Sequence, residues 1–389
     1  MMKNKITYGK NVYNKKEIFA VNKVLRNSTQ MGKSVQIFEK KISNHFSKKY
    51  GLMVNSGSSA LTLAFKVMNL PISSEVITPC LNFGTAVSSI VLSNLVPIFV
   101  DCKKETLQID EDKIEKKITS KTKCLLIPNL IGNVPNWPKI KKIAKKYNLW
   151  LIEDAADSSG AEYHGKKVGS FGDYATFSFF FTHIMSTIEG GMLCCNNKFL
   201  NELSKSKRSF GWIRDLENKK YYEEKYKNID PRFLFISKGF NFKPTDITGA
   251  FGIHQLKKLN SFVEARRINA NFWSKKLKKY SDYFLTIEEQ PNTKSAWYGF
   301  PIIVQKNAPF NRHELINFLN SKGVQTRPIL SGNIAQQPVA KTFKFKSGNL
   351  KNSIFVNDYS FWIGNHHGIK KTEREAVVSY FDDFMQKYV

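Results

Sequence analysis

The stretch "SFFFTHIMSTIEGGM" (178–192) holds one histidine, His183, six residues before Glu189. Residues 174–181 alternate apolar and small side chains and are predicted to form a strand, and "GMLCC" (191–195) is predicted to form the next one. A lone histidine between two strands is most often structural. Open parallel sheets, however, bind ligands beyond the carboxyl ends of their strands. The function of His183 therefore depends on which side chains the neighbouring strands bring to the same edge.

Short apolar segments and helical patterns alternate upstream of this stretch, which is typical of parallel βαβ units. The further strand candidates are "LMVNS" (52–56), "EVITPC" (75–80), "VPIFVD" (96–101), "KCLLIPN" (123–129) and "LWLIED" (149–154). The helical patterns between them cover residues 58–69, 83–94 and 138–148. We predict an α/β fold with one mostly parallel sheet of about seven strands.

The C-terminal part has a different organisation. A long helical pattern over 246–280 is expected to link two domains, and a strand at 295–304 with a helix at 311–323 indicates an α+β layout. A chain of 389 residues exceeds what one hydrophobic core usually organises. We therefore predict a large cofactor-binding domain (1–255) and a smaller C-terminal domain (256–389).

The composition limits the function classes. The formal charge of +28 comes from 60 Lys and Arg against 32 Asp and Glu, but the lysines are scattered over presumed surface helices such as 138–148. Without a nucleic-acid-binding signature, a solvated basic surface is favoured over a nucleic-acid partner. The five cysteines have no metal-ligand spacing, which indicates a reduced, cytoplasmic protein without a metal site. No signal peptide and no membrane span are expected.

Two predicted strand ends carry groups suited to a charged ligand. Gly57 and Ser58 in "NSGSSA" (55–60) begin a helix, where backbone N–H groups can hold a phosphate, although the same pattern also makes an ordinary helix cap. Asp154 ends an apolar strand, where a carboxylate needs a cationic partner such as a protonated heterocycle. A plain capped strand end is the alternative for Asp154.

In order and spacing, these elements resemble the DegT/DnrJ/EryC1/StrS family of sugar aminotransferases, vitamin B6 enzymes of fold type I. In that family the stretch similar to 178–192 carries a lysine that binds the cofactor covalently, and here His183 stands in its place. The resemblance covers nearly the whole chain, including "LIGN" (130–133), "GFNFKPTDITGAFGIHQLKKL" (239–259), "SAWYGF" (295–300), "TRPILSGN" (326–333) and "FWIGNHH" (361–367).

The resemblance implies a set of site residues. Gly57, Ser58 and Ser178 would hold the phosphate of pyridoxal or pyridoxamine phosphate. Phe83 would stack on the pyridine ring, Asp154 would pair with its nitrogen, and Asp157 would lie near its hydroxyl. Asn241 would reach the phosphate from the neighbouring subunit of a homodimer. Arg327 and Asn333 are predicted to contact the substrate.

The resemblance also implies an activity. Imidazole cannot anchor the cofactor covalently but can move protons near neutral pH, which suits free pyridoxamine phosphate. Family members with histidine here are 3-dehydratases of nucleotide-linked 4-keto-6-deoxyhexoses, in deoxysugar biosynthesis for lipopolysaccharide O-antigen. We expect a GDP-linked 4-keto-6-deoxymannose as substrate and L-glutamate as amino donor.

Two alternatives remain open. One is a CDP-linked 3-dehydrase that takes electrons from an iron–sulfur cluster and a reductase. The identities of Phe83, Asp157 and Phe210 resemble that enzyme more closely, whereas residues 211–254 contain no cysteine for a cluster. The other is a non-catalytic, cofactor-binding homologue that lost activity together with its lysine.

Overall fold

The computed structural model describes residues 6–388 and is built around a large mixed sheet. The strands are β1 (Tyr50–Val54), β2 (Glu75–Pro79), β3 (Val96–Val100), β4 (Thr122–Pro128), β5 (Trp150–Asp154), β6 (Glu162–Tyr163), β7 (Lys166–Lys167), β8 (Tyr174–Ser178), β9 (Gly191–Cys195), β10 (Phe284–Thr286), β11 (Thr293–Lys294), β12 (Gly299–Val304), β13 (Thr326–Arg327), β14 (Lys346–Ser347) and β15 (Ser360–Gly364). The α-helices are α1 (Lys15–Leu25), α2 (Lys33–His45), α3 (Gly57–Met68), α4 (Gly84–Val91), α5 (Trp137–Lys146), α6 (Lys198–Arg208), α7 (Lys219–Lys225), α8 (Asp246–Leu256), α9 (Leu259–Leu277), α10 (Arg312–Ser321), α11 (Lys351–Tyr359) and α12 (Lys371–Met385).

The large sheet has eight strands in the order β1-β9-β8-β5-β4-β2-β3-β14. Its neighbours pair in parallel except where β9 runs antiparallel to β1 and β8. The carboxyl ends of β1, β2, β4, β5 and β8 consequently lie at one edge. This confirms the predicted α/β class with a mostly parallel sheet, and the two-residue strand β14 adds an eighth member that the sequence pattern did not predict.

Alternate residues of each strand point to opposite faces of the sheet, and both faces are buried. In β4, Leu125 and Ile127 belong to one apolar cluster, and Cys124 and Leu126 belong to another. Helices cover both faces. Since neither face meets solvent, the strands read as nearly continuous apolar runs, and this made them recognisable in the sequence.

Two smaller sheets complete the fold. One has the antiparallel order β10-β12-β15-β13, and the other has the order β11-β6-β7. Strand β14 belongs by sequence to the predicted C-terminal domain but pairs with β3 of the large sheet. The predicted domain boundary at residues 255 and 256 stays a prediction.

Two predicted elements have different limits. The strand predicted over 174–181 ends at Ser178, because His183 N donates to Phe180 O (3.0 Å) and closes a turn. The helix predicted over 246–280 is two helices, α8 and α9, separated at Lys257 and Lys258. Helix α8 packs on α1 and α2. Among the described residues, no helix combines the length and apolar composition needed to cross a membrane.

Candidate active site

A cavity of about 400 Å³ opens at the edge of the large sheet where the parallel strands end. Eight of the ten predicted site residues line it: Gly57, Ser58, Phe83, Asp154, Asp157, Ser178, His183 and Arg327. Most of them lie together because they are at or just after the carboxyl ends of the parallel strands. Within residues 6–388, no lysine lines this cavity.

The phosphate end of the cavity is built where α3 begins beside the end of β8. The N-cap of α3 is Ser56, whose side chain accepts a hydrogen bond from Ser59 N (3.1 Å). Gly57 lies so close to β8 that a Cβ atom there would be 2.7 Å from Ser178 Cβ. The glycine thus lets a helix N-terminus and a hydroxyl line the same space, an arrangement that favours an anion such as phosphate.

Asp154 ends β5 as a buried carboxylate facing this cavity. Its Oδ1 accepts hydrogen bonds from Ala156 N (3.1 Å) and Thr176 Oγ1 (3.3 Å). Burial outweighs these bonds and raises the pKa of Asp154 to about 6. A cationic group in the cavity would relieve that desolvation, as a protonated ring nitrogen would do. Phe83 is half-exposed on the cavity wall and offers an aromatic face.

His183 and Asp157 form a close pair in the same cavity. His183 Nδ1 lies 3.5 Å from Asp157 Oδ1, and the two side chains are only 13% and 12% exposed. Asp157 Oδ2 accepts a hydrogen bond from Ile131 N (3.2 Å). Burial and the neighbouring Asp154 raise the pKa of Asp157 to about 7. Burial and the Arg266 charge lower the pKa of His183 to about 3, so its imidazole is neutral in the cofactor-free protein.

Residues from distant parts of the chain, which the sequence patterns do not predict, complete the cavity. Tyr298 places its ring 5.2 Å from the His183 imidazole and shares a hydrogen bond with Thr182 Oγ1 (2.9 Å). Tyr8 lies under Arg327, whose guanidinium carbon is 4.0 Å from the ring centroid. Tyr298 belongs to the quoted "SAWYGF" segment, which could have indicated it. No local pattern marks Tyr8.

Two predicted residues lie outside the cavity lining. Asn241 is exposed and forms an isolated bridge with Ser209, so its predicted contact with a partner subunit's cofactor stays a prediction. Asn333 is 1% exposed, and its side chain accepts hydrogen bonds from Ala335 N (3.1 Å) and the Cys80 thiol. In this structure Asn333 caps a short 3-10 helix, and its proposed substrate contact also stays a prediction.

The residues that line the cavity fit a phosphorylated aromatic heterocycle with a protonated ring nitrogen. Gly57 and Ser178 suit the phosphate, Asp154 suits the ring nitrogen, and Phe83 offers a face for stacking. Within residues 6–388, none of the residues that line the cavity is a lysine that could bind such a group covalently.

Comparisons of the sequence and of the structure with known proteins give relatives with the same name. The chain is 34% identical over 366 residues to the GDP-4-keto-6-deoxy-D-mannose 3-dehydratase of Yersinia pseudotuberculosis, a match that covers 91% of this chain and 92% of that protein. The structure of the E. coli GDP-4-keto-6-deoxy-D-mannose 3-dehydratase with bound hydrated PLP matches with a TM-score of 0.91 and 30% identity, over 98% of this chain and 100% of that one.

A further solved structure and a family model extend these findings. The structure of a GDP-4-keto-6-deoxymannose 3-dehydratase with a trapped PLP-glutamate geminal diamine has a TM-score of 0.89 at 29% identity, and covers 96% of this chain and 99% of that one. The sequence model that describes the DegT/DnrJ/EryC1/StrS aminotransferase family matches residues 11–382. This chain is therefore a member of the DegT/DnrJ/EryC1/StrS aminotransferase family.

Proposed function

We propose that this enzyme removes the C3 hydroxyl of a nucleotide-linked 4-keto-6-deoxyhexose, with GDP-4-keto-6-deoxymannose as its substrate, pyridoxal or pyridoxamine phosphate as cofactor and L-glutamate as amino donor. The proposal rests above all on His183. Its neutral imidazole occupies a cofactor-type cavity that, within residues 6–388, no lysine lines. The similarity to named 3-dehydratases supports the same reaction.

The cofactor would be held by side chains and backbone at the strand ends. Gly57, Ser58 and Ser178 would bind its phosphate, Phe83 would stack on its ring, and Asp154 would pair with the ring nitrogen. That pairing would keep the Asp154 carboxylate ionised despite its burial. When bound, the pyridoxamine form supplies an amine that condenses with ketones and a conjugated ring that takes up electrons.

His183 would move the proton that the reaction requires. A neutral imidazole can accept it, and Asp157, 3.5 Å from Nδ1, would stabilise the imidazolium that results. The other ring nitrogen, Nε2, would then exchange the proton with bound reactants in the cavity. General acid–base help of this kind contributes roughly 10²–10⁴-fold in rate. The same histidine would transfer protons in the reaction with the sugar and in the reaction with glutamate.

The overall reaction balances without an external reductant. The sugar exchanges its C3 hydroxyl for hydrogen, while glutamate is oxidised to 2-oxoglutarate and its nitrogen leaves as ammonia. Arg327 lies exposed at the cavity beside Tyr8 and offers a cation for the substrate diphosphate. Asn241 would contribute to the cavity of a partner subunit, so we propose a homodimer with shared active sites.

The direct test uses purified protein, pyridoxal phosphate and L-glutamate, followed by GDP-4-keto-6-deoxymannose. We expect the cofactor spectrum to change to that of the amine form, and then a 3-deoxy sugar, 2-oxoglutarate and ammonia in equal amounts. Amine-form cofactor without sugar product would contradict the choice of substrate. No reaction with glutamate would contradict the proposed amino donor.

The CDP-linked alternative remains the second candidate because Phe83, Asp157 and Phe210 favour it in the sequence. It predicts turnover of a CDP-linked 4-keto-6-deoxyhexose only when an electron donor is added. Assaying both nucleotide sugars with and without glutamate distinguishes the two reactions. A non-catalytic homologue would bind the cofactor but react with neither glutamate nor sugar.

A further inference from the structure

We propose that Arg266 is a positioning residue that holds the backbone of His183 and Tyr298, so that the imidazole stays between Asp157 and the cavity. The proposal deepens the function proposed above and depends on it for the importance of His183. Arg266 does not line the cavity, and it acts on His183 through its charge as well as through the backbone contacts that follow.

Arg266 lies in α9 and is 1% exposed. Its Nη1 donates to Tyr298 O (2.8 Å) and Asn365 O (2.7 Å), and its Nη2 is 3.5 Å from His183 O. These three carbonyls come from segments far apart in the chain. A planar guanidinium with several fixed donors can hold all three at once, which a lysine ammonium cannot do in the same geometry.

Asn365 strengthens this arrangement. Its Nδ2 donates back to Arg266 O (3.1 Å) and to Trp297 O (2.9 Å). Arg266 and Asn365 therefore hold the adjacent carbonyls of Tyr298 and Trp297. Trp297 has a positive φ of 48°, a conformation that a bulky residue keeps only when its surroundings impose it.

These contacts belong to a closed series that starts and ends at Arg266 and includes the proposed catalytic histidine. Tyr298 N donates to Ile131 O (3.1 Å), and Ile131 N donates to Asp157 Oδ2 (3.2 Å). Asp157 Oδ1 faces His183 Nδ1 at 3.5 Å, and His183 O faces Arg266. Ile131 also has a positive φ of 56°, unusual for a β-branched residue. Moving Arg266 would thus loosen both sides of the His183–Asp157 pair.

The charge of Arg266 acts on the His183–Asp157 pair in addition to its contacts. All three acceptors of its hydrogen bonds are backbone carbonyls, so the guanidinium keeps its positive charge close to His183. Burial is the larger cause of the low pKa of His183, and the Arg266 charge adds to it. The same charge opposes the rise in the pKa of Asp157 that burial and Asp154 produce. Buried charges without a paired counter-ion are costly, so a role beyond packing is a reason to retain one.

Other ionisable groups near this cluster must be considered in any pH experiment. Asp154 lies beside Asp157, the Tyr298 hydroxyl faces Thr182, and His366 and His367 also respond to the Arg266 charge. Resonance assignment must therefore separate His183 from the other six histidines. Loss of one signal in the His183→Asn variant identifies it.

The test compares Arg266→Met and Arg266→Lys with Arg267→Met. Arg267 is the adjacent arginine of α9, pairs with Glu289 (2.6 Å) and donates to Ser295 O (2.9 Å), which makes it a control for general loss of stability. The readouts are the histidine ¹⁵N resonances of the cofactor-free protein against pH, and the single-turnover rate of the cofactor with glutamate against pH.

We expect Arg266→Met to lower the glutamate rate by roughly 10²-fold, the effect of a small misplacement at a reacting centre. Without the Arg266 charge, His183 should become protonated at a higher pH than in the wild type, and its ¹⁵N resonance should show this. The acid limb of the rate profile should also shift to higher pH. Arg266→Lys keeps the charge and should retain the wild-type limb with a smaller rate loss. Arg267→Met should lower the melting temperature without moving the His183 resonance or the acid limb, because Arg267 has no contact with His183.

Unchanged His183 resonances and an unchanged acid limb in Arg266→Met would overturn the proposal, whatever the loss of stability. If that variant does not fold, Arg266→Lys decides, since a full wild-type rate with an unaltered His183 signal would contradict the need for a guanidinium. A wild-type protein that does not react with glutamate would contradict the proposed function, while the resonance experiment would still test Arg266.

Discussion

Asp154 is a buried carboxyl group whose protonation links the fold to cofactor binding. In the free protein its pKa is raised from 3.8 to about 6, because burial outweighs its hydrogen bonds. The folded protein therefore binds more protons than the unfolded chain between these values. The protonated carboxyl contributes stability that is fully present below the lower value and is lost as the pH rises through the upper one.

Asp154→Asn removes this dependence. We expect the free energy of unfolding of the wild type, relative to the variant, to fall by on the order of 2–3 kcal/mol between about pH 4 and pH 7. Urea unfolding across this range measures it, with the exposed Asp282→Asn as a matched control. Saturating pyridoxal phosphate should flatten the difference if a cationic ring nitrogen pairs with Asp154. A decline that persists with the cofactor bound would contradict the pairing.

His183 can be tested by restoring the residue usual in the family. His183→Lys is expected to bind pyridoxal phosphate covalently and to lower sugar dehydration by roughly 10²-fold or more, because the proton acceptor is lost. Cofactor retention after dialysis and product formation measure the two effects. His183→Asn, which adds no amine, should lose turnover without retaining the cofactor. Full dehydratase activity in His183→Lys would show that the imidazole is not the proton carrier.

The sequence predicted the site residues at the ends of strands and missed the site residues that come from other parts of the chain. Gly57, Asp154 and Ser178 could be found because carboxyl ends of parallel strands meet at one edge. Tyr8 and Tyr298 reach the cavity through tertiary packing, which no local spacing encodes. The low pKa of His183 could not be predicted from the sequence either, since it depends on burial and on Arg266 in a distant helix.

Helix α3 is the element on which the proposed phosphate site depends. Its first residue, Gly57, packs against Ser178, and a Cβ atom there would be 2.7 Å from Ser178 Cβ. Gly57→Ala must displace either the helix start or the serine. We expect the affinity for pyridoxal phosphate to fall by about tenfold or more, the loss associated with one hydrogen bond to a charged group.

Calorimetric titration of the free protein measures this change. The matched control is Gly84→Ala at the start of α4, where the added Cβ would meet Ser331 Oγ at an ordinary 3.6 Å. Equal affinities for the wild type and Gly57→Ala would exclude α3 as the phosphate site. Equal losses in the two variants would indicate a general effect of alanine at helix starts.

The elements themselves show which features a pattern can predict. The seven predicted strands of the large sheet are present because both faces of the sheet are buried, which leaves an apolar signal in each strand. Strand β14 has two residues and exists only through its pairing with β3. The end of β8 and the break between α8 and α9 depend on turns whose hydrogen bonds the apolar pattern does not contain.

The whole-molecule question is whether each active site is complete within one chain. Asn241 is exposed, outside the cavity that contains His183, and follows Phe240 in a segment that bonds back to Lys207 and Arg208. In the proposed homodimer, Asn241 of each subunit serves the site of the other. Closed two-fold symmetry makes such exchange reciprocal, so both sites need both chains.

This arrangement predicts complementation between two inactive variants. His183→Asn and Asn241→Ala are each expected to have little activity alone. Denaturing and refolding them together in equal amounts forms mixed dimers in which one site carries both substitutions and the other carries neither. With random pairing, about one quarter of all sites are intact, so about one quarter of wild-type activity should return.

The control refolds each variant alone and the wild type alone, which corrects for losses in refolding. If Asn241 acted in its own chain, every site of a mixed dimer would carry one substitution and the mixture would stay as inactive as its components. If Asn241→Ala were fully active alone, the residue would not be needed at any site. Recovery near one quarter follows only when His183 and Asn241 belong to the same site but to different subunits.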